Sequence, residues 1–510
     1  MCAQTTQLSP VDAAWLHMEH PTNLMMITGA LLFKQPLDIN RVRETYRERL
    51  LQFRRFRQRV VESPIPLGLP FWEDDPRFHF ESHIHHIALP GEGTRAQLTD
   101  LLSDLASTPL DFSRPLWQVH IVDNVEGGSA IVMRIHHCIG DGTALVAVTM
   151  NLMDSDPNAP LALPPRRERR QKSLLETLTG NARTVLQNTR ELLGTVWGES
   201  MESFLHPSHL VEMGREATRV ATQGAATVGR ALIQGNDPVT LFKGPLGVAK
   251  RVAWSEPVGV EEAKGIAHAL GAKINDVMVA AMAGALRRYL IDRATDVTGM
   301  TVSAVVPVDL RAAERALDLG NVFGLVFLAV PVGLTDPLER LIAVKRRMDA
   351  LKNSNEALLY FGLLNLFGET PKQIVEGAVQ FFAARATMVF TNVVGPRTPL
   401  YLAGTEIDNV VFWVPQSGRL AMGISIYSYN NRITVGVITD AGLAPDPEQI
   451  AASFGDEYRI LARAAHERVV ASQSQESALP RCAAFTKTGS PCRNAARPGT
   501  AYCRLHASQD

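Results

Sequence analysis

Two adjacent histidines lead the residues whose types and spacing could carry chemistry. The run His136-His137-Cys138-Ile139-Gly140-Asp141-Gly142 brings imidazole, thiol and carboxylate groups together within seven positions. An imidazole titrates near neutrality, so it can take a proton from a hydroxyl group and return it to a leaving group. Three other interpretations stay open for this run alone: a metal cluster, an aspartate that only caps a helix, and histidines satisfied in the core.

The elements around the run decide which way its side chains point. Residues 128–135 are rich in apolar and β-branched types and predict a strand that ends at the histidines, and residues 143–153 resume with helical spacing. Because successive side chains of a strand alternate faces, His136 and His137 would point to opposite sides, and only one can face a given substrate channel. Cys138 would also face away from His137, which disfavours it as a nucleophile.

Composition and charge exclude several classes of protein. The chain has 510 residues, 46% of them hydrophobic and 20% charged, with a formal net charge of -1. That balance argues against a nucleic-acid binder, which would need a basic excess. We expect no signal peptide, and no apolar run approaches the roughly 20 residues that span a bilayer. The chain before the tail holds only two cysteines, Cys2 and Cys138. Such a low cysteine content fits a reducing compartment, so we expect a cytoplasmic protein.

Strand-like and helical patterns, interrupted by polar and proline-rich stretches, divide the chain into four predicted segments. They are an α/β lobe, a linker, a second α/β lobe and a short tail, at residues 1–155, 156–235, 236–473 and 480–510. Within the linker, residues 166–172 are strongly basic and residues 174–197 carry an apolar helical face.

The histidine run resembles the HHxxxDG signature of the CoA-dependent acyltransferase superfamily. Further blocks are similar to those of the bacterial wax ester synthase/diacylglycerol acyltransferase family, and they occur in that family's order. The blocks are Leu8-Ser9-Pro10-Val11-Asp12 with Glu19, Pro115-Leu116-Trp117, residues 273–277, residues 306–311 with 320–324, and residues 391–396. Thr391 stands where serine is usual in the family.

The resemblance implies a fold and a reaction. The fold would be α/β, with two chloramphenicol-acetyltransferase-like lobes and an active site in a tunnel at their interface. A long acyl group would pass from acyl-CoA to a fatty alcohol or diacylglycerol, with no catalytic cofactor. His137 would be the general base, His136 would be secondary, and Asp141 would hold the loop through an ion pair.

The resemblance also marks further residues, each with an ordinary alternative. Asn275 could donate to a developing oxyanion, yet an Asn-Asp pair is a routine helix start. Trp117 could line the acyl channel, or it could be a core residue. Glu19 is a candidate only through the resemblance, since surface would be its default. The remaining substrate-binding candidates are Gly142, Asn392 and Gly395.

Lipid substrates imply peripheral contact with the inner membrane or with lipid inclusions. The basic and apolar parts of the linker could supply that contact, although a helix packed across the lobes has the same pattern. Two rival functions stay open. A peptide-synthetase condensation domain shares the histidine motif, and a non-catalytic lipid-droplet protein would have no need of His137.

The tail carries its own candidate site. Cys482, Cys492, Cys503 and His506 offer the four ligands that tetrahedral zinc requires, in a segment with few large apolar residues. The tail resembles a small Cys-Cys-Cys-His zinc module of bacterial proteins. A disordered tail with incidental thiols is the alternative. We expect a structural zinc ion, remote from His137.

Overall fold

A computed structural model describes most of the two predicted lobes. The residues described are 5–65, 68–161, 237–311, 318–352, 383–416, 418 and 420–478, with parts of 357–379 and 482–509. The basic and apolar stretches predicted at 166–197 lie outside the described residues.

The described α-helices are α1 Pro10–His17, α2 Ile39–Thr45, α3 Arg95–Ser107, α4 Gly142–Leu152, α5 Val260–Ala269, α6 Ile274–Ile291, α7 Pro337–Lys352 and α8 Pro447–Ala478. The described strands are β1 Thr6–Gln7, β2 Met26–Phe33, β3 Gln58–Val61, β4 Phe71–Asp74, β5 Ile84–Ala88, β6 Trp117–Val125, β7 Gly128–His136, β8 Lys250–Trp254, β9 Val258–Gly259, β10 Val302–Asp309, β11 Phe323–Val330, β12 Met388–Val394, β13 Tyr401–Leu402, β14 Thr405–Glu406, β15 Asn409–Trp413, β16 Met422–Tyr429 and β17 Arg432–Asp440.

A five-stranded sheet, in the order β15-β2-β7-β6-β5, carries the histidine run. Strand β7 is buried along its whole length, because both faces of this sheet are covered. Ala130 and Val132 face a small core under α3, whereas Ile131, Met133 and Ile135 face the main core. The alternation expected for this strand is therefore confirmed.

A larger mixed sheet forms the second half of the fold, in the order β11-β10-β12-β16-β17-β8, with β9 paired to β17. Helix α6 is buried along most of its length in the core of this half, where it packs against α8. Such a helix is apolar on nearly all sides because it has no face toward water. Two α/β halves result, as the sequence predicts.

The halves are interleaved. Strand β15 comes from the segment predicted for the second lobe, yet it pairs antiparallel with β2 of the first sheet, Trp413 opposite Thr28. Strand β8 in turn contacts α3, where the backbone N–H of Lys250 donates to the Ser107 hydroxyl at 2.8 Å. Hydrophobic alternation identifies a strand but not its partner, so this exchange is invisible in the sequence. Helix α8 also runs past residue 473, the predicted end of the lobe.

No single helix of the described chain is both long and apolar enough to cross a membrane, although the bent pair α5–α6 passes by length and composition.

Candidate active site

A cavity of about 310 Å³ lies between the two sheets. Its walls are mainly aliphatic and aromatic, and they come from both halves of the chain. Representative wall residues are Leu31 of β2, Val305 of β10, Val389 of β12 and Val410 of β15. A cavity with such walls suits an extended hydrocarbon chain better than a polar metabolite.

His137 lies directly after the end of β7 and lines this cavity together with Met133 and Ile135. Its ring stacks on Trp15, with centroids 3.9 Å apart and planes inclined by 18°. Burial lowers the pKa of His137 to about 3, against an opposing contribution from its hydrogen bond to Asn321. A ring that stays neutral at physiological pH can accept a proton from a substrate hydroxyl.

The two nitrogens of the His137 ring have different surroundings. Nδ1 lies 2.8 Å from Oδ1 of Asn321, which is two residues before β11. Nε2 makes no hydrogen bond to any described part of the chain. The backbone N–H of His137 donates to the Met25 carbonyl at 2.7 Å, which fixes the turn that carries the ring.

Asp141 both caps a helix and forms an ion pair. One carboxylate oxygen accepts from the backbone N–H of Ala144 at 2.9 Å, which caps α4. The other accepts from Nη2 of Arg311 at 2.6 Å and from the N–H of Val322 at 2.9 Å. Burial raises the pKa of Asp141, and Arg311 opposes that shift. Asp141 therefore acts both as a helix cap and as a member of an ion pair. The next residue, Gly142, lines the cavity.

His136 is buried but is not among the residues that line the cavity. Its Nδ1 accepts from the backbone N–H of Cys138 at 3.1 Å, so its proton is on Nε2, which lies 3.5 Å from the Glu19 carboxylate. Glu19 in turn accepts from the backbone N–H of Met25. These contacts hold the turn. Burial raises the pKa of the Cys138 thiol well above its usual range, so the thiol stays protonated and is a poor nucleophile.

The two asparagines predicted for the site meet each other. Nδ2 of Asn392 donates to Oδ1 of Asn275 at 2.5 Å, and of the two only Asn392 is among the residues that line the cavity. Asn275 therefore contacts a residue that lines the cavity but does not line the cavity itself. Gly395 lies beyond the cavity wall, where a Cβ would come within 2.4 Å of the Ser428 carbonyl oxygen. That close approach explains the glycine.

Of the two alternatives for Trp117, the geometry favours the core residue. It is 1% exposed and does not line the cavity. Its indole N–H donates to the Phe56 carbonyl at 2.8 Å, and its ring stacks on His83 at 4.5 Å. This tryptophan is held in the core because both its ring and its N–H find partners there.

Sequence reasoning assigned no role to several residues that surround His137. They are Asp12, Trp15, Arg311 and Asn321. Asp12, Arg311 and Asn321 stand within the blocks on which the family resemblance rests, and that was the available signal. Trp15 gave none, because ring stacking depends on how α1 packs.

The four predicted ligands of the tail come together. The Sγ atoms of Cys482, Cys492 and Cys503 and a ring nitrogen of His506 all lie within 4.8 Å of one another. Nδ1 of His506 is 3.6 Å from Cys482 Sγ and 3.3 Å from Cys503 Sγ, and the Sγ atoms of Cys492 and Cys503 are 3.9 Å apart. This cluster could hold a metal ion.

Comparisons with known proteins agree with this geometry. Residues 8–278 match the model of the wax ester synthase/diacylglycerol acyltransferase catalytic domain, and residues 319–462 match the C-terminal domain of the same family. The O-acyltransferase WSD of Acinetobacter baylyi is 26% identical, covering 91% of this chain and 98% of the relative. A Mycobacterium tuberculosis protein named "probable diacylglycerol O-acyltransferase" is 25% identical, covering 91% of this chain and 97% of the relative.

Solved structures show the same fold. The wax ester synthase/diacylglycerol acyltransferase of Marinobacter aquaeolei VT8 superposes with a TM-score of 0.64 at 21% identity, over 90% of this chain and all of that one. The first condensation domain of the calcium-dependent antibiotic synthetase has a TM-score of 0.56 at 16% identity, over 91% and 96%. The chain thus belongs to the wax ester synthase/diacylglycerol acyltransferase family of acyl-CoA-dependent O-acyltransferases.

Proposed function

We propose that the protein transfers a long acyl group from acyl-CoA to a fatty alcohol or to diacylglycerol, with Nε2 of His137 as general base. The observation that carries the proposal is a buried, neutral imidazole in the wall of an apolar cavity. The names of the Acinetobacter and mycobacterial relatives support an ester product.

The proposed reaction needs one proton carrier. Nε2 of His137 takes the proton of the acceptor hydroxyl while its oxygen attacks the thioester carbonyl carbon. The tetrahedral oxyanion then collapses, the C–S bond breaks, and the imidazolium returns the proton to the CoA sulfur. The products are an ester and free CoA, and no acyl-enzyme forms. The stacked Trp15 ring favours the transient imidazolium, which burial disfavours.

The test is an assay of the purified protein with palmitoyl-CoA and either hexadecanol or a diacylglycerol. Thiol release gives the rate and mass spectrometry identifies the ester. We expect His137→Ala to reduce kcat by about 10²- to 10⁴-fold, the range of general acid–base catalysis. His120→Ala is the matched control, since His120 is also buried but does not line the cavity. Wild-type rates in His137→Ala would reject the mechanism.

We propose further that the tail binds a structural zinc ion. Zinc with Zn–S bonds of about 2.3 Å and a Zn–N bond of about 2.0 Å separates its ligand atoms by roughly 3.5 to 3.8 Å. Three of the six observed separations, at 3.3 to 3.9 Å, are close to those of such a tetrahedron, and all six are within 4.8 Å. Metal analysis of the full chain should give one zinc per molecule, lost in Cys492→Ser and kept in Cys138→Ser. Equal zinc in both variants would contradict the assignment.

We propose peripheral contact with lipid surfaces, because both acceptor classes partition into them. Flotation with phospholipid vesicles tests this. The protein should float with anionic vesicles and less with neutral ones, and recovery in the lipid-free fraction with both would reject the proposal.

A further inference from the structure

A chain of hydrogen bonds runs from the ring of His137 to a buried carboxylate. Beyond the 2.8 Å contact between Nδ1 and Asn321 Oδ1, the amide nitrogen of Asn321 lies 2.7 Å from Oδ1 of Asp12 and 2.9 Å from the backbone oxygen of His137. The backbone N–H of Asn321 also donates to Asp12 at 3.0 Å. Asp12 is wholly buried, and Nη1 of Arg55 lies 3.1 Å from its second oxygen.

The chemistry of these partners fixes the orientation of the Asn321 amide. A carboxylate and a backbone carbonyl can only accept hydrogen bonds, so the group that faces them must be the NH₂ of Asn321. Turning the amide over would set its oxygen against two other oxygens. The oxygen of Asn321 must therefore face Nδ1 of His137, and because that oxygen can only accept, Nδ1 must carry the proton.

We propose that Asn321, oriented by Asp12, is the positioning residue that holds His137 in the tautomer with its proton on Nδ1. Nε2 then keeps the lone pair that removes the substrate proton. In the other tautomer Nε2 would carry a hydrogen and the ring could not act as a base. The proposal rests on the proposed role of His137 and names the groups that enforce it.

One short helix supplies both supports of the ring. Ser9 caps α1 by accepting from the backbone N–H of Asp12 at 3.1 Å, and Pro10 opens its first turn. Asp12 and Trp15 are three residues apart and so lie on one face of α1. Trp15 stacks on the His137 ring and sets its plane, while Asp12 fixes the amide that faces the ring edge.

The network keeps negative charge away from the base. Arg55 pairs with Asp12, and a neutral amide stands between Asp12 and the ring. A carboxylate directly on Nδ1 would favour the charged imidazolium, whereas the amide fixes the same tautomer with little such effect. Burial keeps the pKa of His137 at about 3, so the ring is neutral before each turnover.

The rival to Asn321 is the backbone carbonyl of His137 itself, which also acts to raise the pKa of the ring. The test is ¹⁵N NMR of the histidine rings in the full chain, with the His137 signals assigned from His137→Gln. Wild type should show a protonated Nδ1 and an unprotonated Nε2. Asn321→Leu, which removes the acceptor at similar volume, should lose this preference. Its kcat should fall on the order of 10²- to 10⁴-fold, the effect of a wrong histidine tautomer, with the KM for palmitoyl-CoA little changed.

Asp12→Asn gives a second measurement if the leucine variant folds poorly. Arg55 attracts the oxygen of the new amide, whereas the backbone N–H and the NH₂ of Asn321 attract it to the opposite side, so the acceptor that fixes the Asn321 amide is weakened. The preference of His137 for a protonated Nδ1 should then decrease. Glu457→Gln is the control, because Glu457 is another buried carboxylate, paired with Arg340, and it does not line the cavity.

An unchanged tautomer in both Asn321→Leu and Asp12→Asn would overturn the proposal and assign the tautomer to the carbonyl of His137. The tautomer is read without substrate. The proposal for Asn321 can therefore fail while His137→Ala still abolishes activity. Its failure is thus distinguishable from a failure of the proposed role of His137.

Discussion

Replacing Arg311 by methionine tests whether the loop that carries His137 is held by an ion pair. Arg311 and Asp141 have side chains only 2% and 6% exposed, and their closest atoms are 2.6 Å apart. Removing one partner of a buried pair leaves the other charge uncompensated, which costs about 3–5 kcal/mol. Asp141 keeps its two backbone N–H donors, at Ala144 and Val322, so we expect a loss of about 3 kcal/mol at neutral pH.

The pH dependence of that loss follows from the pKa of Asp141. Burial raises this pKa above its ordinary value of 3.8, and Arg311 opposes the shift, so the methionine variant raises it further. A carboxyl with a raised pKa in the folded state stabilises the fold at low pH, and the benefit disappears as pH rises through the folded pKa. The deficit of Arg311→Met should therefore be smallest near pH 3.8 and should grow toward neutrality.

The assay is urea unfolding followed by circular dichroism at both ends of that pH range. The double variant Arg311→Met with Asp141→Asn should recover most of the loss, because no charge is then buried alone and asparagine still caps α4. Lys345→Met is the control, since Lys345 pairs with Asp349 on the surface and should change stability little. A double variant no more stable than Arg311→Met, or a deficit independent of pH, would refute the reasoning.

Three further predictions concern the base, the cavity and the turn beside it. Because the base works deprotonated and the pKa of His137 is about 3, kcat/KM should stay level from about pH 8 to about pH 5; a fall centred at the ordinary value of 6.5 would contradict this. Val389→Trp narrows the cavity and should lower kcat/KM for palmitoyl-CoA about tenfold more than for butyryl-CoA. Val394→Trp, on the exposed end of the same strand, should not change the ratio of the two kcat/KM values. If Val389→Trp lowers kcat/KM equally for both substrates, Val389 does not contact the acyl chain. Gly320→Ala should destabilise more than Gly271→Ala in thermal melts, because φ is +112° at Gly320, outside the left-handed well that Gly271 occupies at +61°; equal melting temperatures would remove the strain argument.

How far the sequence predicted the fold and the site depends on the range of the interaction involved. The strand that ends at His136 and the helix that begins beside Gly142 follow from local periodicity, and both are as predicted. The face on which His137 lies follows from alternation along β7. The pairing of β15 with β2, and the core position of Trp117, depend on contacts between distant segments that periodicity does not encode.

The same distinction explains which partners of His137 were missed. The ion pair of Asp141 was expected, but its partner Arg311 is 170 positions away. Asn321 is separated from His137 by 184 positions and from Asp12 by 309. Nothing local marks an asparagine as the residue that orients an imidazole. Only the recurrence of its block in a known order pointed to the segment.

The completed site also shows why one half of the chain cannot form it alone. The segment 8–278, which matches the catalytic-domain model, contains His137, Asp12 and Trp15 but lacks Asn321 and Arg311. It lacks β15 as well, the edge strand that pairs with β2. Without the second half, His137 would lose the acceptor on Nδ1 and Asp141 would lose its cation. The proposed acid–base chemistry therefore depends on residues from both halves, and the strand exchange helps to hold those halves together.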